Sequence, residues 1–132
     1  MRLFAPESFN MKYSDLLGIK YKPHGRNLEE GFDCYGLVIE VLARNGIKVP
    51  DLYYDSLKPD EEFVCQFNSH TTEIEKPEEN CLIEIATFDS VGHVAVYIGD
   101  GLMIHTMIRT GVVIEPVRHY SHKIKGYYRV NN

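Results

Sequence analysis

Cys34, His93 and His105 are the residues of this sequence whose types and order could do chemistry together. A thiol becomes a nucleophile when its proton is taken, most often by an imidazole that a third polar group holds in place. One residue of each kind is then at hand. The reaction open to such a set is acyl transfer, in which the thiolate adds to a carbonyl carbon, the imidazole passes the proton to the leaving group, and water releases the thioester. The same three side chains are also possible zinc ligands. Each has a plainer use as well, Cys34 as a small buried side chain and either histidine as a satisfied core or surface group.

The elements that would have to position them can be read from periodicity. In the stretch Gly31 to Gly46, Leu37, Val38, Val41 and Leu42 recur at helical spacing, Asp33 suits the N-cap, and Gly46 suits the left-handed residue after the helix end. Cys34 falls on the apolar stripe in the first turn, where unpaired N–H groups and the macrodipole favour thiolate. Gly36 costs helix stability, about 1 kcal/mol relative to Ala, which suggests that another backbone or a substrate passes close by. Asp33 is expected to oppose the thiolate by like charge. Its capping bonds, the helix end and an imidazolium at His93 are expected to outweigh it. From residue 81 onward the pattern becomes a meander of about five strands, 81–88, 91–98, 102–108, 111–117 and 126–130. Alternation along Val91 to Gly99 puts His93, Ala95 and Tyr97 on one face. A three-residue Gly99-Asp100-Gly101 loop would pair positions summing to 200, so that His105 lies opposite Ala95 and diagonal to His93.

The remainder of the chain sets the frame. Its 132 residues, 44% hydrophobic and 25% charged, fit a single domain, residues 1–132. A net charge of −5 argues against nucleic acid or an anionic membrane as partner. Three cysteines at unrelated spacings form neither a disulfide framework nor a paired metal motif; Cys81 reads as a filler at a strand start and Cys65 as a core or loop thiol. The N-terminal residues carry no signal-peptide run, so a cytoplasmic location, or export by another route, is expected. Residues 7–17 read as a short helix, residues 19–27 as an irregular loop beside Cys34, and residues 55–77 as acidic and weakly patterned, with one short helix around 60–67. His24, His70, His119 and His122 lie in polar segments and read as surface residues.

Gly31-Phe32-Asp33-Cys34-Tyr35-Gly36-Leu37-Val38, then Gly92-His93-Val94-Ala95-Val96-Tyr97-Ile98-Gly99, then Met103-Ile104-His105-Thr106 resemble the motifs of the NlpC-type cysteine peptidases, which cut bacterial cell-wall peptides. Leu16 to Tyr21 and Ile124 to Arg129 extend the likeness over nearly the whole chain. Tyr35, the Gly25-Arg26 loop and the Gly126-Tyr127-Tyr128-Arg129 ending resemble the branch found in phage tail-tip and tail-assembly proteins. Asn80-Cys81-Leu82 departs from the family's usual Gly-Asp-Leu. The resemblance implies an α+β, papain-like fold and a Cys34, His93 and His105 triad without metal or cofactor. It implies Tyr21, Asp33 and Tyr35 as substrate-binding residues, with the Tyr21 hydroxyl beside the oxyanion. The implied substrate is a peptidoglycan stem peptide, commonly cut between a γ-linked D-glutamate and a diamino acid, with other phage tail proteins as further partners. A structural tail component without turnover, or an amidase or acyltransferase with the same triad, are the competing expectations.

Overall fold

The computed structural model describes residues 12–51, 67–86 and 93–131. Its principal helix, α1, runs Cys34–Arg44. Asp33 holds an extended backbone and accepts the Gly36 N–H at 2.7 Å, which satisfies one of the donors that a helix start leaves unpaired. At the other end Gly46, with φ of +79°, closes the helix through its N–H to the Ala43 carbonyl at 3.1 Å. Cys34, Leu37, Val38, Val41 and Leu42 form the buried face.

Two short strands, β1 (Arg26–Asn27) and β2 (Gly31–Phe32), pair antiparallel just before α1, and Tyr21 makes a parallel bridge to Phe32. Residues 19–27 are therefore more ordered than their Pro, Gly and polar content suggests. The reason is that backbone bonds, Lys22 N–H to Phe32 and Phe32 N–H to Lys20, replace the apolar contacts that composition would reveal. The main sheet comprises β3 (Thr71–Ile74), β4 (Leu82–Ile85), β5 (His93–Gly99), β6 (Leu102–Met107), β7 (Gly111–Pro116) and β8 (Ile124–Val130). It is antiparallel, in the order β3-β8-β4-β5-β6-β7. Five of these are the strands expected from periodicity. The sixth, β3, lies in the segment expected to be weakly patterned, where two threonines and a glutamate on an edge strand give no apolar alternation. The helix expected around residues 60–67 lies almost wholly outside the described residues, as does Cys65; residues 67–70 are helical. The expected 7–17 helix is described only from Lys12, and beyond Tyr13 it passes into turns.

Alternation in the strands divides the core. Val94, Val96, Ile98, Leu102, Ile104, Val112 and Ile114 pack with α1, Tyr13 and Leu16 on one face. Ile83, Ile85, Ala95 and Met103 form the other face, covered by Val117 and Tyr120 from the 3₁₀ turn Val117–Tyr120. Among the described residues no helix is long and apolar enough to cross a membrane.

Candidate active site

Cys34 is the first residue of α1 and is buried. The approach suspected at Gly36 is real: a Cβ there would stand 2.1 Å from the Gly25 carbonyl oxygen. Glycine thus lets the 24–26 backbone lie directly against the first turn of the helix. Asp33, 1% exposed, is held by Gly36, by Arg26 Nη1 at 2.8 Å and by the His24 N–H at 3.2 Å. Burial pushes its pKa up, and the bonds from Gly36, Arg26 and His24 pull against that rise. Its charge is thereby engaged by the donors of the helix start and loop. Tyr21 is fixed beside Phe32, two residues before Cys34. Tyr35, expected at the substrate, is instead 5% exposed and donates its hydroxyl to the Pro50 carbonyl at 2.7 Å. It braces α1 against residues 49–50, since its one donor is spent inside the protein.

His93 opens β5 and His105 sits in β6. The 200-sum register holds at Val96↔Ile104 and Tyr97↔Met103, but the turn is a two-residue one. Asp100 and Gly101 both take positive φ, +55° and +77°, and a bulge at Ile98 absorbs the extra residue. The bulge lies beyond Tyr97, so the diagonal relation of the two histidines survives it. His93 Nε2 lies 2.8 Å from His105 Nδ1, and His105 Nε2 lies 2.5 Å from Glu115 Oε2 on β7. Both rings are buried, His105 completely. The facing nitrogens bond to one another rather than converging on a common centre, and among the described residues no three His, Cys, Asp or Glu side chains are grouped to hold a metal.

Burial, and then the neighbouring His105, push the His93 pKa down to about 3. This weighs against the expected imidazolium and favours a neutral ring, suited to accept a proton. Burial raises the Glu115 pKa, but His105, His119 and Tyr120 together outweigh it and hold the carboxyl down to about 2, so it is ionised. The sequence reading missed Glu115. The signal was the one that exposed His93, a charged residue breaking the apolar strand Val112-Val113-Ile114, on the face that His105 shares by alternation.

The structure thus brings His93, His105 and Glu115 into one bonded chain on the sheet face turned away from the body of α1. Cys34 enters from the other layer, at the N-terminus of a helix that packs on β5 and β6. A helix start carrying a cysteine, laid over an antiparallel sheet that bears a buried histidine pair, defines a papain-like α+β domain. The sequence profile of the NlpC/P60 family matches residues 18–129, and the chain belongs to that family. It is similar to the gamma-DL-glutamyl hydrolase of Bacillus subtilis strain 168, 34% identical over an alignment of 107 residues that covers 76% of this chain and 23% of that protein. The chain therefore spans about a quarter of that relative's length. Among solved structures, an NlpC/P60 family protein from Bacillus cereus ATCC 10987 superposes with a TM-score of 0.65 at 27% identity, over 96% of this chain and 41% of that one. The NlpC/p60 domain of the peptidoglycan hydrolase SagA gives 0.63 at 17% identity, over 94% and 97%, and shares the fold.

Proposed function

We propose that this domain is a cysteine peptidase that cleaves peptidoglycan stem peptides at the γ-D-glutamyl bond, with Cys34 as nucleophile, His93 as base and acid, and His105 as the group that orients His93. The observation that carries the reading is the bonded His93–His105–Glu115 chain, with both rings buried. It commits Nε2 of His93 and leaves Nδ1 as the nitrogen for a thiol. The direction of α1 supports it. At its C-terminal end Asn45 donates to the Asn80 side chain at 2.7 Å, and Asn80 bonds to Tyr97 near the end of β5. On this assignment the N-terminal end, with Cys34, lies toward the beginning of β5, where His93 stands. The hydrolase named among the similar proteins supports the choice of a γ-glutamyl bond.

In this reading Cys34 gives its proton to Nδ1 of His93 as sulfur attacks the carbonyl carbon. The resulting imidazolium returns a proton to the departing amine, leaving a thioester. Water, deprotonated by the same nitrogen, then breaks the C–S bond and restores the thiol. The oxyanion is assigned to the hydroxyl of Tyr21, whose backbone is bridged to Phe32 just before the helix start. Mass analysis of muropeptides incubated with wild-type protein and with Cys34→Ala tests the proposal. New fragments ending in γ-glutamate from the wild type alone are expected, and identical spectra from both proteins would overturn it.

A further inference from the structure

Glu115 lies one strand beyond the histidine pair and makes more polar contacts than a residue that merely ends an apolar strand would need. Oε2 faces His105 Nε2 at 2.5 Å and accepts the Tyr120 hydroxyl at 3.0 Å, while Oε1 lies 3.3 Å from His119 Nδ1. The Tyr120 ring stands edge-on to His105, with centroids 5.5 Å apart and planes at 85°. The pairing Met103↔Glu115 and His105↔Val113 places the carboxylate diagonal to His105 on the same face. It is therefore fixed from β7, β6 and the 3₁₀ turn at once.

A carboxylate can only accept, so at this distance His105 Nε2 must carry a proton. Where His105 is neutral its Nδ1 is bare, and the neighbour at 2.8 Å then donates to it through Nε2, whereas a doubly protonated His105 would reverse that bond. A neutral His93 that donates through Nε2 has its lone pair on Nδ1. We propose that Glu115 is a positioning residue which, through His105, fixes His93 in the tautomer that presents a bare Nδ1 to the thiol. Without an obligate acceptor at that place His105 could reverse its proton, donate through Nδ1 and force the His93 proton onto Nδ1. That nitrogen could then take no proton from a thiol. The inference rests on the catalytic reading above for its consequence, but the tautomer itself can be observed without turnover.

The test is long-range proton–nitrogen NMR of the imidazole rings, together with muropeptide kinetics, on wild type, Glu115→Gln and Glu115→Asp. Glutamine keeps the size but can turn its NH2 or its oxygen toward His105; aspartate keeps an obligate acceptor. Expected are a single Nε2–H tautomer of His93 in the wild type and in Glu115→Asp, and a mixture in Glu115→Gln. With the mixture should go a fall in kcat of about tenfold or more at nearly unchanged KM, partly rescued in Glu115→Asp. A wild-type His93 protonated at Nδ1, or a Glu115→Gln protein with an unmixed tautomer and full kcat, would overturn the proposal. Should muropeptides prove not to be substrates, the activity assignment falls, whereas the wild-type spectrum still decides the role of Glu115.

Discussion

At the scale of single residues, the neutral state of His93 shapes the chemistry. In the proposed mechanism a ring held down to about 3 by burial and by His105 would act as a base that takes the thiol proton during attack. Cys34→Ala should abolish turnover. Because it removes one buried sulfur at the start of α1, it should cost only about 1 kcal/mol of stability. Turnover assays and thermal melts on the same preparation check both parts, and residual cleavage at the wild-type rate would remove Cys34 from the mechanism. His105 separates the orienting role from a zinc site. His105→Ala should lower kcat by about 100-fold or more, and His105→Gln by less, since its amide oxygen can accept the His93 Nε2–H. Equal losses in the two variants, or wild-type protein that carries stoichiometric zinc, would contradict the hydrogen-bonded chain. Cys81 belongs to neither role: burial pushes its thiol up to about 11, and it packs among Ile83, Ile85 and Met103.

At the scale of elements, the approach of Gly25 to Gly36 has a measurable consequence. Gly36→Ala would gain about 1 kcal/mol of helix propensity, but its Cβ would stand 2.1 Å from a backbone carbonyl that also accepts from Arg26 Nη1. The loop would have to move, and Arg26 with it, for a net loss of about 1–3 kcal/mol. Chemical denaturation of Gly36→Ala checks the sign; a more stable variant would mean that the loop yields freely. The legibility of the elements follows from the same physics. Helix α1 was readable to within a residue or two because its apolar stripe, its cap and its terminal glycine agree. Strands β4 to β8 were readable because most of their residues face an apolar layer. The edge strand β3 was not, because only Ile74 of its four residues packs on the core, in a partly buried place. The β1–β2 pair was hidden because its order comes from main-chain bonds and the Arg26–Asp33 ion pair rather than from pattern. The histidine pair was legible from the hairpin register, whereas Glu115 required the same alternation to be carried one strand further.

At the scale of the whole molecule, the bonded chain of titratable groups links the site to stability. His93 has a folded pKa of about 3 against an ordinary 6.5, so between those values the unfolded chain binds a proton that the folded protein refuses. Stability is then complete above pH 6.5 and falls as the medium becomes more acid. Glu115, at about 2 against 4.5, acts in the same direction but only below pH 4.5. Asp33, whose pKa burial raises above 3.8, acts in the opposite direction near and above that value. Between pH 6.5 and 5 the His93 contribution dominates these three, and a single proton there is worth about 2 kcal/mol. For a chain of this length that corresponds to a drop in Tm of several degrees. His93→Gln, which cannot take up the proton, should be less stable at pH 7 yet lose much of this slope. Melting curves of both proteins at pH 7, 6 and 5 make the comparison. A wild-type Tm that stays level from pH 7 to pH 5, or a His93→Gln protein with the same slope, would show that the histidine pair accommodates a proton within the fold. In that case the acid sensitivity of activity would have to come from protonation of the folded site and not from loss of the fold around it.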